Sequence, residues 1–112
     1  MSKRNDMLLI NDILEGILKI FRYTKDMDFK AYMKDEKTID AVNRNFEIIG
    51  EAANRLSKIF IKENSNIPWV RIRGFRNRIV HEYFGVDNEI IWSIIKNDLN
   101  PLYHNLKNLK SN

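Results

Sequence analysis

The sequence predicts an all-α fold, an antiparallel helical bundle of four to five helices, and three observations carry that prediction. Apolar residues recur at steps of three and four along most of the chain, while strand-like alternation is nowhere sustained. Only four glycines and two prolines are available for tight turns. Asp35, Pro68, Gly85 and Asp87 stand where helices would start or stop.

The first helix is expected over Arg4–Tyr23, with Leu14, Ile17 and Phe21 on one face and Ile10 and Ile13 adjoining. A short helical piece follows over Phe29–Met33. Asp35 serves as N-cap of the second long helix, with Thr38 in its first turn. Ile39, Val42, Phe46, Ile49, Ala53, Leu56 and Phe60 then make a seam for packing against other helices. Gly50 on the margin of that seam allows close backbone approach at some loss of helix propensity.

The polar stretch "ENSNIP" (Glu63–Pro68) interrupts the pattern, and Pro68 suits the first turn of a third helix. That helix is expected to reach about Phe84, with Gly85 as its stop. Asp87 caps a fourth helix that presents Ile90, Ile91, Ile94 and Ile95. Asn100–Pro101 is expected to kink or break it before a final piece with Leu102, Leu106 and Leu109.

Composition narrows the class. A 112-residue chain that is 44% hydrophobic is read as one globular domain over 1–112. Cysteine is absent, which excludes disulfides, Cys-based zinc sites and thiol nucleophiles. The opening "MSKRNDMLLINDILEG" places basic residues before an apolar stretch, but Asn11, Asp12 and Glu15 interrupt it. Neither a signal peptide nor a membrane span fits there, so a cytoplasmic location is the expectation. Net charge is +4, and the excess is concentrated: Arg71–Glu82 holds four arginines against one acid.

On a helical wheel of that stretch, Ile72, Phe75, Ile79 and Val80 define an apolar arc. Arg76 falls inside the arc, and Tyr83 lies almost directly above it. Burying a guanidinium without a partner is costly, which leaves two explanations. Arg76 bonds to Glu47 or Glu51 on the second long helix, or the arc faces a cleft between subunits where Arg76 meets an anion. Arg71 and Arg78 lie off the arc and read as solvated. His81 sits about 140° from Arg76 on an ideal helix, with Asn77 and Arg78 nearer to it. By default His81 is a surface or core histidine and Tyr83 a half-buried aromatic, as is His104 beside Tyr103 a residue without chemistry. Two histidines without a matching acid cluster make no metal site, and no Gly-rich phosphate loop or Ser-His-Asp order is present. No cofactor is expected.

The stretch "RNRIVHEY" (Arg76–Tyr83) resembles the signature of the HEPN superfamily: Arg, four to six residues, His, any residue, Tyr. Here the match is Arg76, a gap of four, His81, Glu82 and Tyr83, with Asn77 directly after the arginine. "RNFEIIGEAANRLS" (Arg44–Ser57) and "IPWVRIRGFRNRIVHEYFGVDNEIIW" (Ile67–Trp92) extend the resemblance to the HepT-like branch over most of the chain. The resemblance implies a single HEPN-like domain, a homodimer, and a metal-independent endoribonuclease acting as the toxin of a type VII-like toxin–antitoxin pair. Arg76 and His81 would be catalytic and Asn77 supporting. The expected antitoxin is a minimal, MntA-like nucleotidyltransferase that transfers AMP to Tyr83.

Those residues suit that chemistry. Metal-free RNA cleavage uses the adjacent 2′-hydroxyl as nucleophile and needs a proton carrier near neutral pH, which is histidine's property. A bidentate guanidinium meets the growing charge of the phosphorane better than lysine does. Arg73 and Arg78 are then candidates for contacts to RNA phosphates. AMP on Tyr83 would add bulk and negative charge in an anion-binding cleft. Two other functions use the same residues. One is a non-catalytic nucleotide- or substrate-binding partner subunit of a nucleotidyltransferase; the other is a basic bundle that binds nucleic acid nonspecifically.

Overall fold

The computed structural model describes the backbone of residues 3–81 and 87–111 and the side chains of residues 5–75 and 87–109. Seven α-helices are assigned there: α1 (Lys3–Thr24), α2 (Phe29–Met33), α3 (Glu36–Asn54), α4 (Lys58–Glu63), α5 (Trp69–His81), α6 (Asn88–Ser93) and α7 (Leu99–Ser111). A π-turn over Ile94–Asp98 joins α6 to α7 as one rod. Four long rods therefore form the expected antiparallel bundle, with α2 and α4 as short connecting helices, and no strand occurs among the described residues. No helix described is long and apolar enough to cross a membrane.

The α1–α3 pair is the centre of the core. Ile10, Ile13, Ile17 and Ile20 repeat at helical spacing and are wholly buried, as are Val42, Phe46, Ile49 and Ala53 of α3. The two helices run antiparallel, since Asp6 near the start of α1 meets Ser57 just past the end of α3. Midway along, a Cβ on Gly16 would lie 2.8 Å from Ile49 Cγ1, so the missing side chain permits the approach. Burying each of these isoleucines contributes roughly 1.5–3 kcal/mol.

Caps are placed as the sequence predicts. The Thr38 N–H donates to Asp35 Oδ1 at 3.0 Å, and that bond holds the Asp35 carboxyl below its usual range. The N–H groups of Glu89 and Ile90 donate to Asp87 Oδ1 at 3.0 and 3.2 Å. The helix Phe29–Met33 also forms as expected, capped by Asp28.

Two expectations are corrected. The seam from Ile39 to Phe60 is not one helix: α3 ends at Asn54, and Ser57 caps the separate helix α4 by accepting from the Phe60 N–H. Asp6, itself buried, causes the break. Its carboxylate accepts the Ser57 N–H at 2.8 Å and the Ser57 hydroxyl at 2.7 Å, drawing that residue out of the helical ladder. Leu56 and Phe60 remain buried, so the apolar spacing survives a change of axis.

The second correction concerns Asn100–Pro101, where the helix does not break: α7 runs from Leu99 through Pro101 to Ser111. The π-turn shifts the hydrogen-bond register, the Leu99 N–H donating to the Ile94 carbonyl. Pro101 then falls in the first turn of α7, where a missing N–H breaks no bond. Ile91, Ile94 and Ile95 are buried as expected, but Ile90 is exposed.

At the far end, Trp92 packs against Tyr32 and Phe29 with ring centroids 4.9 and 6.2 Å away, and Lys96 lies over the same indole at 4.8 Å. Tyr32 is fully buried and its hydroxyl has no hydrogen-bond partner among the described residues. Burial pushes its pKa up to about 12.

Candidate active site on the fifth helix

Helix α5 is set in place by its first half. The indole N–H of Trp69 donates to the Asn64 carbonyl at 2.9 Å, across the α4–α5 corner, and the Ile72 N–H donates to the Pro68 carbonyl at 3.1 Å. Asn64 in turn donates from Nδ2 to the Phe60 carbonyl, so the polar stretch Glu63–Pro68 is a bonded turn. Ile72 and Phe75 are buried, and the Phe75 ring stands edge-on to Phe46 with centroids 5.2 Å apart. These contacts fix the rotation of α5 about its axis.

That rotation assigns the register of every later residue on the helix. Backbone positions 76–81 continue α5, so Arg76, Asn77, Arg78 and His81 share one helical stretch. At about 100° per residue, position 76 falls between those of Trp69 and Ile72, which are both buried. Asn77 and His81 instead follow Val70 and Gly74 along the opposite, outward stripe, within about 40° of Val70. Val70 is 82% exposed, and no other element among the described residues lies within 4 Å of a Cβ built on Gly74. Arg76 and His81 are therefore about 7.5 Å apart along the axis and on different sides of it. The side chains of Arg76, Asn77, Arg78 and His81, and all of Tyr83, lie outside the described residues.

Of the cluster's other arginines, Arg71 corrects the expectation that it is simply solvated. Its side chain, though exposed, pairs with Asp98 of the π-turn. That pair spans 27 positions of sequence, and no local pattern announces it. Arg73 differs. It is half-buried, and its Nε is inaccessible to solvent and has no hydrogen-bond partner among the described residues. Beside it opens a groove of about 580 Å³ at the α4–α5 corner, which sequence reasoning did not find. Glu47, one of the two acids weighed as a partner for Arg76, lies 3.5 Å from Arg44. His104 is exposed with its ring against Tyr103.

Residues 13–109 match the family described as Ribonuclease HepT-like. Two Methanocaldococcus jannaschii proteins, each named "putative RNase", are 40% and 37% identical over 87% and 88% of this chain and 80% and 91% of their own lengths. A Thermococcus cleftensis protein named "probable ribonuclease HepT" is 34% identical over 96% of this chain and 98% of its own. No solved structure matches.

Proposed function

The chain belongs to the HepT-like ribonuclease family, and on that premise we propose that it is a metal-independent endoribonuclease, the toxin of a type VII-like toxin–antitoxin pair. The observation that carries this is the unbroken helical backbone from Arg76 to His81, which puts a cation and a proton carrier one and a half turns apart on a helix anchored to the core. Because the two positions lie on different sides of α5, the site is completed by a second copy of the chain. Two motifs along one groove then supply two imidazoles and two guanidiniums.

In that groove, His81 of one chain takes the proton of the 2′-hydroxyl as its oxygen attacks phosphorus. The partner copy's imidazole protonates the departing 5′-oxygen, leaving a cyclic phosphate and a 5′-hydroxyl. Arg76 holds the non-bridging oxygens while charge grows on them. Asn77 supports the catalytic pair, and Arg73 and Arg78 hold flanking phosphates. A minimal, MntA-like nucleotidyltransferase, the antitoxin, transfers AMP to the Tyr83 hydroxyl with loss of pyrophosphate. The added bulk and negative charge block the groove.

Expression without the antitoxin tests this reading in cells: wild-type chain arrests growth, and His81→Ala relieves the arrest. Growth arrest by both chains, or by neither, contradicts it. Adding an excess of His81→Ala protein to wild type tests the shared groove: mixed dimers keep one imidazole of the two, so cleavage falls well below the share of wild-type chain, whereas a fall in simple proportion to that share contradicts it.

A further inference from the structure

We infer that the groove at the α4–α5 corner is a base-binding subsite, which receives an unpaired RNA nucleobase upstream or downstream of the cut; this rests on the ribonuclease reading above. The groove is lined by Ile61, Lys62, Pro68, Trp69, Val70 and Arg73 among others, and no acidic side chain lines it. Its surface is apolar, and Val70, in the first turn of the helix that carries the motif, is exposed to 82% at its edge. An apolar cleft of this volume with a few polar groups at the margin is the usual form of a small-ligand site.

The charges at the margin select the occupant. Lys62 is exposed, and Arg73, half-buried, has no salt bridge among the described residues, whereas Arg71 is already neutralised by Asp98. An apolar bed beside free cations matches a strand whose bases are flat and apolar and whose backbone is anionic. Continuity along α5 favours RNA over an acidic peptide. Val70, Gly74, Asn77 and His81 occupy one stripe, and Gly74 leaves the space above the helix open. From Val70 to His81 the axis runs about 16 Å, a span of a few nucleotides. A strand with its scissile phosphate at His81 thus passes over Gly74 and reaches the groove, with Arg73 on a phosphate between.

The test is fluorescence anisotropy of the full chain with a short single-stranded RNA carrying 2′-O-methyl groups throughout, which removes the nucleophile and separates binding from cleavage. Val70→Glu puts a like charge in the path and weakens binding about tenfold or more. Arg73→Gln weakens it less and lowers the slope of log K against log salt by about one. Gly74→Leu, which fills the open stripe, also weakens it. Ile59→Ser removes another exposed apolar residue, on α4 but outside the groove lining, and binds as wild type does. Thermal melts matching wild type verify that each variant folds. If Val70→Glu and Gly74→Leu bind this RNA as tightly as wild type, the subsite is overturned, even where the wild-type chain cuts natural RNA. If wild type binds but never cuts, and both variants still weaken binding, the subsite stands and the nuclease reading fails.

Discussion

Gly16 and Gly74 both leave a side chain out of the middle of a long helix, yet their surroundings are opposite. At Gly16 the omission is filled by Ile49, whose Cγ1 would stand 2.8 Å from an added Cβ. At Gly74 nothing stands within 4 Å among the described residues. The first glycine closes the α1–α3 seam, and the second keeps the outward stripe of α5 open. One helix thus presents two faces: Trp69, Ile72 and Phe75 are buried, while Val70 and Gly74 look outward along the stripe that leads to His81 by register. A closed face that fixes the helix and an open face free of core duties is what a site on a rigid element requires.

Substitutions on the closed side are the strongest way to challenge that contrast. Phe75→Ala removes the ring that meets Phe46 and is expected to cost about 3–5 kcal/mol in urea unfolding. A loss under about 1 kcal/mol would mean that α5 is not held by its inner face. Asp6→Ala leaves the Ser57 N–H and hydroxyl without their acceptor and is expected to cost about 2 kcal/mol, read by the same method. The two glycines sharpen the comparison directly. Gly16→Ala gains helix propensity but collides with Ile49, for a net loss of about 1 kcal/mol, whereas Gly74→Ala gains about 0.5–1 kcal/mol. Equal effects at the two sites would erase the distinction.

The smallest effect is expected at Tyr32. Near neutral pH, Tyr32→Phe changes stability by less than about 1 kcal/mol, because the hydroxyl it removes has no partner. At high pH the two chains diverge. The folded-state pKa is raised from 10.0 to about 12, so Tyr32 contributes fully below pH 10 and its contribution is lost as pH rises through 12. Denaturation followed from pH 9 to 12 should show a loss in wild type that is smaller in Tyr32→Phe.

How far these features were legible in the sequence depends on how local they are. Asp35 and Asp87 act on residues two or three positions away, and both were placed correctly. The helix Phe29–Met33 and the buried face of α1 follow equally from short-range pattern. The α3–α4 break was missed because its cause, Asp6, lies 51 positions from Ser57. The Arg71–Asp98 pair was missed for the same reason, while the groove beside Arg73 lies within residues 61–73 and depends on the angle between α4 and α5, which spacing does not show. The passage through Pro101 was misjudged because a π-turn has no spacing of its own to read. For the site, spacing sufficed to put Arg76 and His81 on one helix, and the packing of Ile72 and Phe75 supplied the rotation of that helix.

Incubating the purified chain with total RNA in EDTA, beside His81→Ala, and determining the ends of the fragments decides whether His81 carries metal-free cleavage. The wild-type chain is expected to leave cyclic phosphate and 5′-hydroxyl ends, with a loss of at least about 100-fold in His81→Ala. Fragments with 5′-phosphate ends, or undiminished cutting by His81→Ala, would contradict it.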